Sequence, residues 1–381
     1  MKLKVLLISH TCQSKTEGQP KAMNLAHHPD IELKVLIPDR WRHYGKWRQA
    51  DIPSPDKFDC HIGKVAMPWV GPAQFYMHWY PELASILRSF KPDVIDLWEE
   101  PWGLVSAHTC YLRDRLLPGT KIISETEQNI NKSLPGPFEK FRAYTLKHAD
   151  FAIGRNKEAI EVLRTKGYSG PAEVVPNAVD AELFRPANRQ ECRDKLGLKG
   201  FTAGYIGRLV EEKGLADMVE ALKECPPEVN LLFLGSGSFE TPLKQKVQEH
   251  GLDSRVTFLP ARPLSELPVV MNAMDALVLP SRTTASWKEQ FGRVIIEAHA
   301  CATPVIGSTS GAIPEVVGDG GLVFEERNPA ALAAAICELA ADPERCRTMG
   351  LAGRATVEEN YTWQRVANRM ANIYQRTVQG K

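Results

Sequence analysis

Residues 202–234 read TAGYIGRLVEEKGLADMVEALKECPPEVNLLFL. The stretch opens with the mainly apolar run Thr202–Ile206, continues through the amphipathic run Leu215–Glu224, and returns to an apolar run at Asn230–Leu234. The first and last runs have the length and composition of buried strands, and the middle run has the period of a helix. A strand, a helix and a second strand in this order predict one β–α–β unit with parallel strands.

The same alternation extends over almost the whole chain in two series. Further strands are predicted at Val5–Ser9, Leu33–Ile37, Val94–Trp98, Lys121–Ser124, Phe151–Gly154, Arg255–Leu259, Ala276–Leu279 and Pro304–Ile306, and further helices at Pro137–His148 and Pro329–Ala340. Prolines and glycines interrupt the pattern around Val175–Gly200. We therefore predict an α/β protein with two doubly wound, Rossmann-like domains, 1–182 and 183–360. A last helix within 361–381 is expected to pack back on the first domain.

Composition excludes several classes of protein. The 381 residues are 43% hydrophobic and 24% charged, with a formal net charge of +1, so no global field favours nucleic acid. None of the eight cysteines forms a C-x-x-C pair, which argues against a zinc knuckle or a thioredoxin motif. The short apolar N-terminus lacks the features of a signal peptide, and no apolar run is long enough to cross a bilayer. These features are typical of a cytoplasmic protein.

The turn after Ile206 carries two basic residues between two glycines. Gly207 and Arg208 follow the predicted strand, and Lys213 and Gly214 precede the predicted helix. Glycine lets the backbone approach a ligand, and a helix N-terminus attracts anions. The two cations are therefore candidates for holding a diphosphate through charge-assisted hydrogen bonds. The alternative is an ordinary polar turn with solvated charges.

Two carboxylates further along the chain strengthen the ligand interpretation. A helix predicted to begin near Phe291 puts Glu289 at its start and Glu297 two turns along, near the same face. Carboxylates so placed can accept hydrogen bonds from sugar and ribose hydroxyls. The alternatives are a first-turn helix acid for Glu289 and a satisfied buried carboxylate for Glu297.

In this order, Gly207-Arg208, Lys213-Gly214, Glu289 and Glu297 resemble the donor site of family 4 glycosyltransferases, which have the GT-B fold. Flanking stretches extend the resemblance over about residues 170–375: 175–180 (VPNAVD), 280–281 (PS), 300–305 (ACATPV) and 311–316 (GAIPEV). The sequence departs from the family pattern at three positions: Ala178 and Ala302 replace the usual glycines, and His299 replaces a common methionine. None of the three departures removes a ligand-binding side chain.

The resemblance implies two domains facing across a cleft and a retaining, hexosyltransferase-type transfer of a sugar from a nucleoside diphosphate sugar, with UDP expected. Arg208 and Lys213 would hold the diphosphate, Glu297 the ribose, and Glu289 with the backbone of 290–292 the transferred sugar. The donor-binding candidates are Gly18, Gly207, Arg208, Lys213, Ser236, Arg262, Glu289, Gln290, Phe291, Gly292 and Glu297. The acceptor would be a glycan, a lipid or a small molecule, as in polysaccharide biosynthesis.

The N-terminal half departs further from the family. Glu127 stands where many family members end a strand with an active-site histidine, so that role does not transfer, although a carboxylate there can accept a substrate hydroxyl's hydrogen bond. The alternative is that Glu127 caps the following turn. The catalytic candidates are Glu127, Arg208, Lys213 and Glu289. Trp98, Glu99 and Glu100 end a predicted strand and are acceptor-binding candidates, with a core position as the alternative for Trp98.

The segment Arg40–Arg48 reads RWRHYGKWR and is both basic and aromatic. One interpretation is a peripheral contact with anionic lipid at the inner face of the membrane, and a second is stacking on a carbohydrate acceptor. The third is a loop whose aromatic rings fold beneath it while its charges stay solvated.

No metal or cofactor is expected. The chain has no Asp-x-Asp pair and its histidines have no ligand spacing, so transfer is predicted to be metal-independent. Two other functions remain open: a GT-B-type sugar isomerase or phosphorylase, and a non-catalytic nucleotide-sugar-binding subunit.

Overall fold

A computed structural model describes residues 2–43, 46–66 and 74–380 of the chain. The chain divides into two compact units. The first comprises Met1–Pro176 together with Trp363–Lys381, and the second comprises Asn177–Thr362.

The first unit is built on a parallel sheet. Its strands are β1 (Leu3–Ile8), β2 (Ile31–Pro38), β3 (Arg40–His43), β4 (Lys46–Gln49), β5 (Asp59–Gly63), β6 (Val94–Leu97), β7 (Lys121–Thr126), β8 (Phe151–Gly154) and β9 (Ala172–Val174). Seven of them pair in the order β5-β2-β1-β6-β7-β8-β9, with every pairing parallel. The helices are α1 (Gln19–Ala26), α2 (Gln74–Met77), α3 (Leu83–Phe90), α4 (Leu104–Leu116), α5 (Gly136–His148), α6 (Lys157–Thr165) and, at the C-terminus, α15 (Trp363–Gln379).

The second unit repeats this plan. Its strands are β10 (Phe201–Ile206), β11 (Val229–Leu234), β12 (Val256–Leu259), β13 (Ala276–Leu279), β14 (Val305–Ser308) and β15 (Gly321–Phe324). They form a parallel sheet in the order β12-β11-β10-β13-β14-β15. The helices are α7 (Arg189–Leu196), α8 (Leu215–Glu224), α9 (Glu240–Glu249), α10 (Leu267–Ala273), α11 (Arg293–Ala300), α12 (Ile313–Val317), α13 (Pro329–Ala341) and α14 (Pro343–Thr356).

Both sheets are apolar along their central strands because helices cover both faces. Every residue of β6 and of β13 is buried, and β11 is buried from Leu231 to Leu234. This burial on both faces explains why the strands read as continuous apolar runs. The prediction of two doubly wound, Rossmann-like sheets is confirmed.

The basic and aromatic segment Arg40–Arg48 is a hairpin, which corrects the loop interpretation. Strands β3 and β4 pair antiparallel, with Trp41 opposite Arg48. Trp41 is buried, whereas Trp47 is 46% exposed and lies 5.4 Å from the Arg40 guanidinium. Tyr44 and Gly45 of this segment lie outside the described residues. The aromatic rings are therefore divided, with one inside the unit and one on its surface.

None of the helices in the described ranges is long and apolar enough to span a membrane.

Candidate functional site

The second unit places its candidate site where the strand order of its sheet reverses. From the adjacent strands β10 and β13, the sheet continues through β11 and β12 on one side and through β14 and β15 on the other. Loops that leave the carboxyl ends of two such strands diverge and leave room for a ligand. Lys213 lies in the loop after β10, and Glu289 lies in the loop after β13.

Lys213 and Glu289 form the central contact of this site. Lys213 Nζ donates to Glu289 Oε2 at 2.5 Å, and Ser281 Oγ donates to the same oxygen at 2.8 Å. The lysine ammonium also lies 4.6 Å from the centre of the Trp287 ring. The Lys213 and Glu289 side chains are 14% and 11% exposed. Charged groups this close and this shielded interact more strongly than a solvated surface pair.

Two glycines allow the loops to approach this closely. Gly214 has φ +68°, and a Cβ on it would stand 2.0 Å from the Pro280 carbonyl oxygen. Gly311 has φ +56°, and a Cβ there would stand 2.0 Å from the Glu289 carbonyl oxygen. Both positions combine a left-handed backbone with a close approach that a side chain would prevent. The glycines therefore fix the backbone on either side of the Lys213–Glu289 contact.

A backbone hydrogen bond joins the two loops, and a second ion pair connects the loop after β13 to helix α8. The Arg282 backbone N–H donates to the Glu212 carbonyl oxygen at 2.8 Å, and Arg282 Nε donates to Asp217 Oδ2 at 2.9 Å. This hydrogen bond to the Asp217 carboxylate raises the pKa of Arg282 above its ordinary value. Ser281, Arg282 and Asp217 were not assigned roles from the sequence. Their only sequence signal was the Pro-Ser pair after a predicted strand.

The helix that follows Glu289 begins later than predicted. Helix α11 starts at Arg293 after Gly292, so Glu289 is not a first-turn helix acid. Glu297 lies in the second turn of this helix and is partly buried; burial raises the pKa of its carboxyl, and Arg293 opposes that shift. Phe291 is buried and packs edge-on against Tyr361, with ring centres 5.9 Å apart.

The remaining donor candidates lie on loops of either unit. Arg208 follows β10 and is exposed, and its carbonyl oxygen accepts a hydrogen bond from Tyr205 Oη at 2.8 Å. Ser236 is exposed, and a guanidinium nitrogen of Arg262 lies 3.6 Å from a Glu266 carboxylate oxygen.

In the first unit, Gly18 is buried, and a Cβ on it would stand 2.4 Å from the Thr11 carbonyl carbon. That close packing explains the single glycine of the loop after β1.

The predicted acceptor residue Glu99 is buried against two histidines in the first unit. Its Oε2 lies 2.6 Å from His10 Nδ1 and 3.8 Å from His78 Nε2, and its Oε1 accepts from the His10 backbone N–H at 2.5 Å. Burial alone would raise the pKa of Glu99, but the two histidines outweigh burial and lower that pKa to about 2. Burial lowers the pKa of His10, but Glu99 outweighs burial and raises it overall. Both shifts in pKa favour an ion pair, in which the Glu99 side chain is buried and the His10 side chain is 23% exposed.

Glu100 and Glu127 meet at the end of β7. Glu100 Oε1 accepts from the Glu127 backbone N–H at 2.8 Å, and its Oε2 accepts from Thr126 Oγ1 at 2.6 Å. Burial raises the pKa of Glu100 to about 7, against the opposing effect of these hydrogen bonds. The Glu127 side chain is 42% exposed and lies 3.7 Å from Arg155 Nε. The backbone N–H of Gln128 donates to Thr126 Oγ1 at 3.1 Å, so Thr126 caps this turn.

Trp98 belongs to a buried network of charges. Lys21 Nζ lies 4.4 Å from the Trp98 ring centre and the Arg155 guanidinium lies 5.3 Å from it, so two cations contact the indole. Lys21 Nζ contacts Glu125 Oε1 at 2.5 Å and Asp96 Oδ2 at 3.3 Å.

The C-terminal helix joins this network, since Tyr374 Oη of α15 donates to Asp96 Oδ2 at 2.6 Å. Arg155 also donates to Glu125. Sequence reasoning missed the network, although the charges of Asp96 and Glu125 inside apolar strands were a signal.

Across the described ranges, His, Cys, Asp and Glu side chains form no group of three or more that could hold a metal ion.

Among the comparisons with known proteins, the match to a family model lies within the second unit. The sequence model of the family "Glycosyl transferases group 1" matches residues 188–356. The GDP-mannose-dependent monoacylated alpha-(1-6)-phosphatidylinositol monomannoside mannosyltransferase of Corynebacterium glutamicum is 34% identical over 214 residues, which cover 53% of this chain and 56% of that protein. The D-inositol 3-phosphate glycosyltransferase of Segniliparus rotundus is 34% identical over 220 residues, which cover 55% and 47%. The chain thus spans about half the length of these curated relatives.

Solved structures match the whole chain. A sucrose-phosphate synthase from Thermosynechococcus elongatus superposes with a TM-score of 0.76 at 22% identity and covers 100% of both chains. Anabaena Alr3699/HepE, in a complex with UDP, superposes with a TM-score of 0.76 at 18% identity and covers 98% of this chain and 100% of that one. The family model thus matches most of the second unit, at residues 188–356, and these structural matches show that the chain has the GT-B fold.

Proposed function

We propose that the protein is a retaining, metal-independent glycosyltransferase that moves a sugar from a nucleoside diphosphate sugar, with UDP as the nucleotide, to a glycan, lipid or small-molecule acceptor. The observation that carries this proposal is the 2.5 Å contact between Lys213 and Glu289. Lys213 is the proposed diphosphate ligand, and Glu289 is the proposed ligand of the transferred sugar. The bond that breaks in a donor joins the sugar to the diphosphate, so the residue that binds the sugar and the residue that binds the diphosphate must be neighbours.

The geometry supports a specific division of work during transfer. An ammonium has three hydrogen-bond donors, so Lys213 can keep Glu289 as a partner and still donate to a phosphate oxygen. Ser281 holds the carboxylate at 2.8 Å, which keeps Glu289 oriented for the sugar hydroxyls. Arg208 would add charge at the diphosphate.

The proposed reaction is a front-face substitution. The bond from the anomeric carbon to the phosphate oxygen breaks, and the acceptor oxygen bonds to the same face of that carbon. The acceptor proton passes to the leaving phosphate, whose growing negative charge Lys213 stabilises. Fixed charges placed where charge develops lower the barrier more than they strengthen donor binding.

The experiment that tests the proposal is a donor panel with the full chain. UDP-glucose, UDP-N-acetylglucosamine, GDP-mannose and ADP-glucose are each incubated with an acceptor mixture, and release of the nucleoside diphosphate is measured. We expect release from a UDP-sugar. The Corynebacterium glutamicum relative is named as GDP-mannose-dependent. Release from GDP-mannose alone would therefore show that the nucleotide is GDP instead of UDP, and it would leave the proposed transfer reaction unchanged. Nucleotide binding without turnover would instead support a non-catalytic binding subunit. Conversion of the donor in the absence of an acceptor would support an isomerase.

We also propose that the protein is cytoplasmic and contacts the inner face of the membrane through Arg40–Arg48. In this segment Arg40 and Arg48 are exposed beside the half-exposed Trp47. Ile52 follows the hairpin and is 77% exposed. Basic and aromatic side chains together suit an anionic lipid surface.

A further inference from the structure

The loop that connects β13 to α11 places a tryptophan beside the proposed diphosphate ligand. Lys213 Nζ lies over the Trp287 ring, 4.6 Å from the ring centre, and the same ammonium donates to Glu289 Oε2 at 2.5 Å. Trp287 stands two positions before Glu289, so one loop supplies both contacts. The roles proposed above use Lys213 and Glu289 and assign none to Trp287.

A short turn fixes the backbone of this tryptophan. The Trp287 N–H donates to Thr284 Oγ1 at 3.0 Å, and the Ser286 N–H donates to the same hydroxyl oxygen at 3.3 Å. The Thr284 N–H donates in return to the Trp287 carbonyl oxygen at 2.8 Å. A threonine hydroxyl that accepts from the backbone two and three positions later stabilises a local turn. The Trp287 backbone is therefore held by bonds within its own loop.

Neighbouring segments anchor the turn at both ends. Before it, the Thr283 N–H donates to a Glu326 carboxylate oxygen, and Arg327 Nη2 donates to the Thr283 carbonyl oxygen at 2.8 Å. After it, the Glu289 carbonyl oxygen accepts from the Ala312 N–H at 3.1 Å. The turn is thus tied to the segment after β15 and to the segment after β14. A ring presented from such a turn loses little conformational freedom when a ligand binds nearby.

The indole acts on the ammonium through the electrons of its ring. An aromatic face attracts a cation, most strongly in tryptophan, and the attraction grows as the cation is shielded from water. The Lys213 side chain is 14% exposed and ends a flexible four-carbon stem. Glu289 alone would leave the ammonium free to swing around one oxygen, whereas the ring fixes it from a second side. An ammonium has three donors, so one can still reach a phosphate oxygen.

We propose that Trp287 is a positioning residue for transfer, whose ring keeps the Lys213 ammonium where the leaving phosphate gains negative charge. The inference rests on the proposed function, because that function gives Lys213 its role at the diphosphate. It assigns no contact between Trp287 and the donor. Replacing Trp287 should therefore change kcat more than nucleotide affinity, and the change should require Lys213.

Two variants test the role of the ring. They are measured by steady-state release of the nucleoside diphosphate and by calorimetric titration of the nucleotide, which also shows that each variant is folded. Trp287→Leu keeps an apolar side chain without a ring, so kcat should fall about tenfold while nucleotide affinity stays within about twofold of wild type. Trp287→Phe keeps an aromatic face and should retain more of kcat than the leucine variant.

The matched control is Tyr111→Leu. The exposed Tyr111 ring also faces a cation, the Arg115 guanidinium at 4.7 Å, but it lies on α4 in the first unit, so kcat should equal that of wild type. Wild-type kcat in Trp287→Leu would overturn the inference. An equal loss of kcat in the leucine and phenylalanine variants would overturn it too, because the ring face would then be irrelevant.

A double-mutant cycle distinguishes positioning of Lys213 from a structural role. If the ring acts through the ammonium, Trp287→Leu should lower kcat in the wild-type background but not in Lys213→Ala, where the ammonium is already absent. Equal factors in the two backgrounds would show that Trp287 acts independently of Lys213, and they would refute the inference.

A further measurement needs no transfer. Amines of the folded full chain are methylated with formaldehyde and a borohydride, and the modified lysines are identified by mass spectrometry. Because the ring covers one side of the ammonium, Lys213 should be methylated faster in Trp287→Leu than in wild type. Lys223, which pairs with Glu220 and is 46% exposed, is the reference in the same samples. An unchanged rate at Lys213 relative to Lys223 would refute the contact.

These outcomes separate the inference from the proposed function. Release of nucleoside diphosphate by wild type, with the same kcat in Trp287→Leu, would refute the role of Trp287 alone. Absence of release from every donor would refute the transfer reaction and with it any role in transfer. The methylation rates would then still show whether the ring covers Lys213.

Discussion

Replacing Lys213 with alanine should reduce turnover far more than it weakens donor binding. In the structure the ammonium lies 2.5 Å from Glu289 Oε2 and 4.6 Å from the Trp287 ring centre. The substitution removes a positive charge from the point where the leaving phosphate gains negative charge. The donor would still have its contacts with Arg208 and Glu297, so its affinity should fall only modestly.

The size of the effect follows from the shielding of the site. Two unit charges about 4 Å apart interact by about 4 kcal/mol at the effective dielectric constant of about 20 that suits such a site. The Lys213 side chain is 14% exposed, so this regime applies better than bulk water. Only the charge that grows during the reaction counts towards kcat. Loss of one such stabiliser costs about 3 kcal/mol, which is about a hundredfold in kcat.

The assay is steady-state release of the nucleoside diphosphate, together with calorimetric titration of the nucleotide into the same preparations. The matched control is Lys223→Ala. Lys223 also pairs with a glutamate, Glu220 at 3.0 Å, but it is 46% exposed, and a surface pair of this kind contributes little. We expect wild-type kinetics for the control. Folded Lys213→Ala with unchanged kcat would refute the assignment of Lys213 to the site.

Four further predictions concern the rest of the molecule. Glu127→Gln should keep the fold and the nucleotide affinity but lose most transfer activity. Wild-type transfer activity with a lower Tm would instead show that Glu127 stabilises the turn that follows it. Activity should persist in excess EDTA; complete loss that magnesium or manganese alone restores would reveal metal ligands we missed. A membrane contact through Arg40–Arg48 predicts that the protein binds anionic vesicles at low salt and is released as the salt concentration rises. Equal binding to neutral vesicles, or no binding to either kind of vesicle, would contradict this contact. The pKa of Glu99, lowered to about 2 from an ordinary 4.5, means that the unfolded state binds more protons between these values. The advantage of wild type over Glu99→Gln in the free energy of unfolding should therefore be complete between about pH 4.5 and pH 6.5, disappear towards pH 2, and decrease again at higher pH as His10 loses its proton through its raised pKa; an advantage independent of pH would exclude the ion pair as its source.

Local sequence patterns predicted most of the two sheets. The predicted strand Ala276–Leu279 and helix Leu215–Glu224 have the same bounds in the structure. Strands covered on both faces form short apolar runs, and helices covered on one face carry an apolar stripe, so both signals lie within a few consecutive residues. The β3–β4 hairpin lacked such a signal because its strands are short and carry charged and aromatic side chains in turn.

The contacts within the sites depended on the tertiary structure. An ordered set of motifs in the sequence predicted that Lys213 and Glu289 are ligands. The sequence could not show that their side chains are in contact, because 76 positions separate them. That contact exists because β10 and β13 are neighbours in the sheet, and strand order is not a property of any local pattern.

The same distinction holds in the first unit. Asp96 lies within the predicted strand Val94–Trp98, and Glu125 directly follows the predicted strand Lys121–Ser124. Only the fold supplies Lys21 from a helix and Arg155 from beyond β8 as their partners. The sequence by itself therefore determined most of the strands and helices, because each depends on neighbouring residues. Tertiary structure alone decided which distant side chains meet and how their charges are compensated, because these depend on which elements pack together.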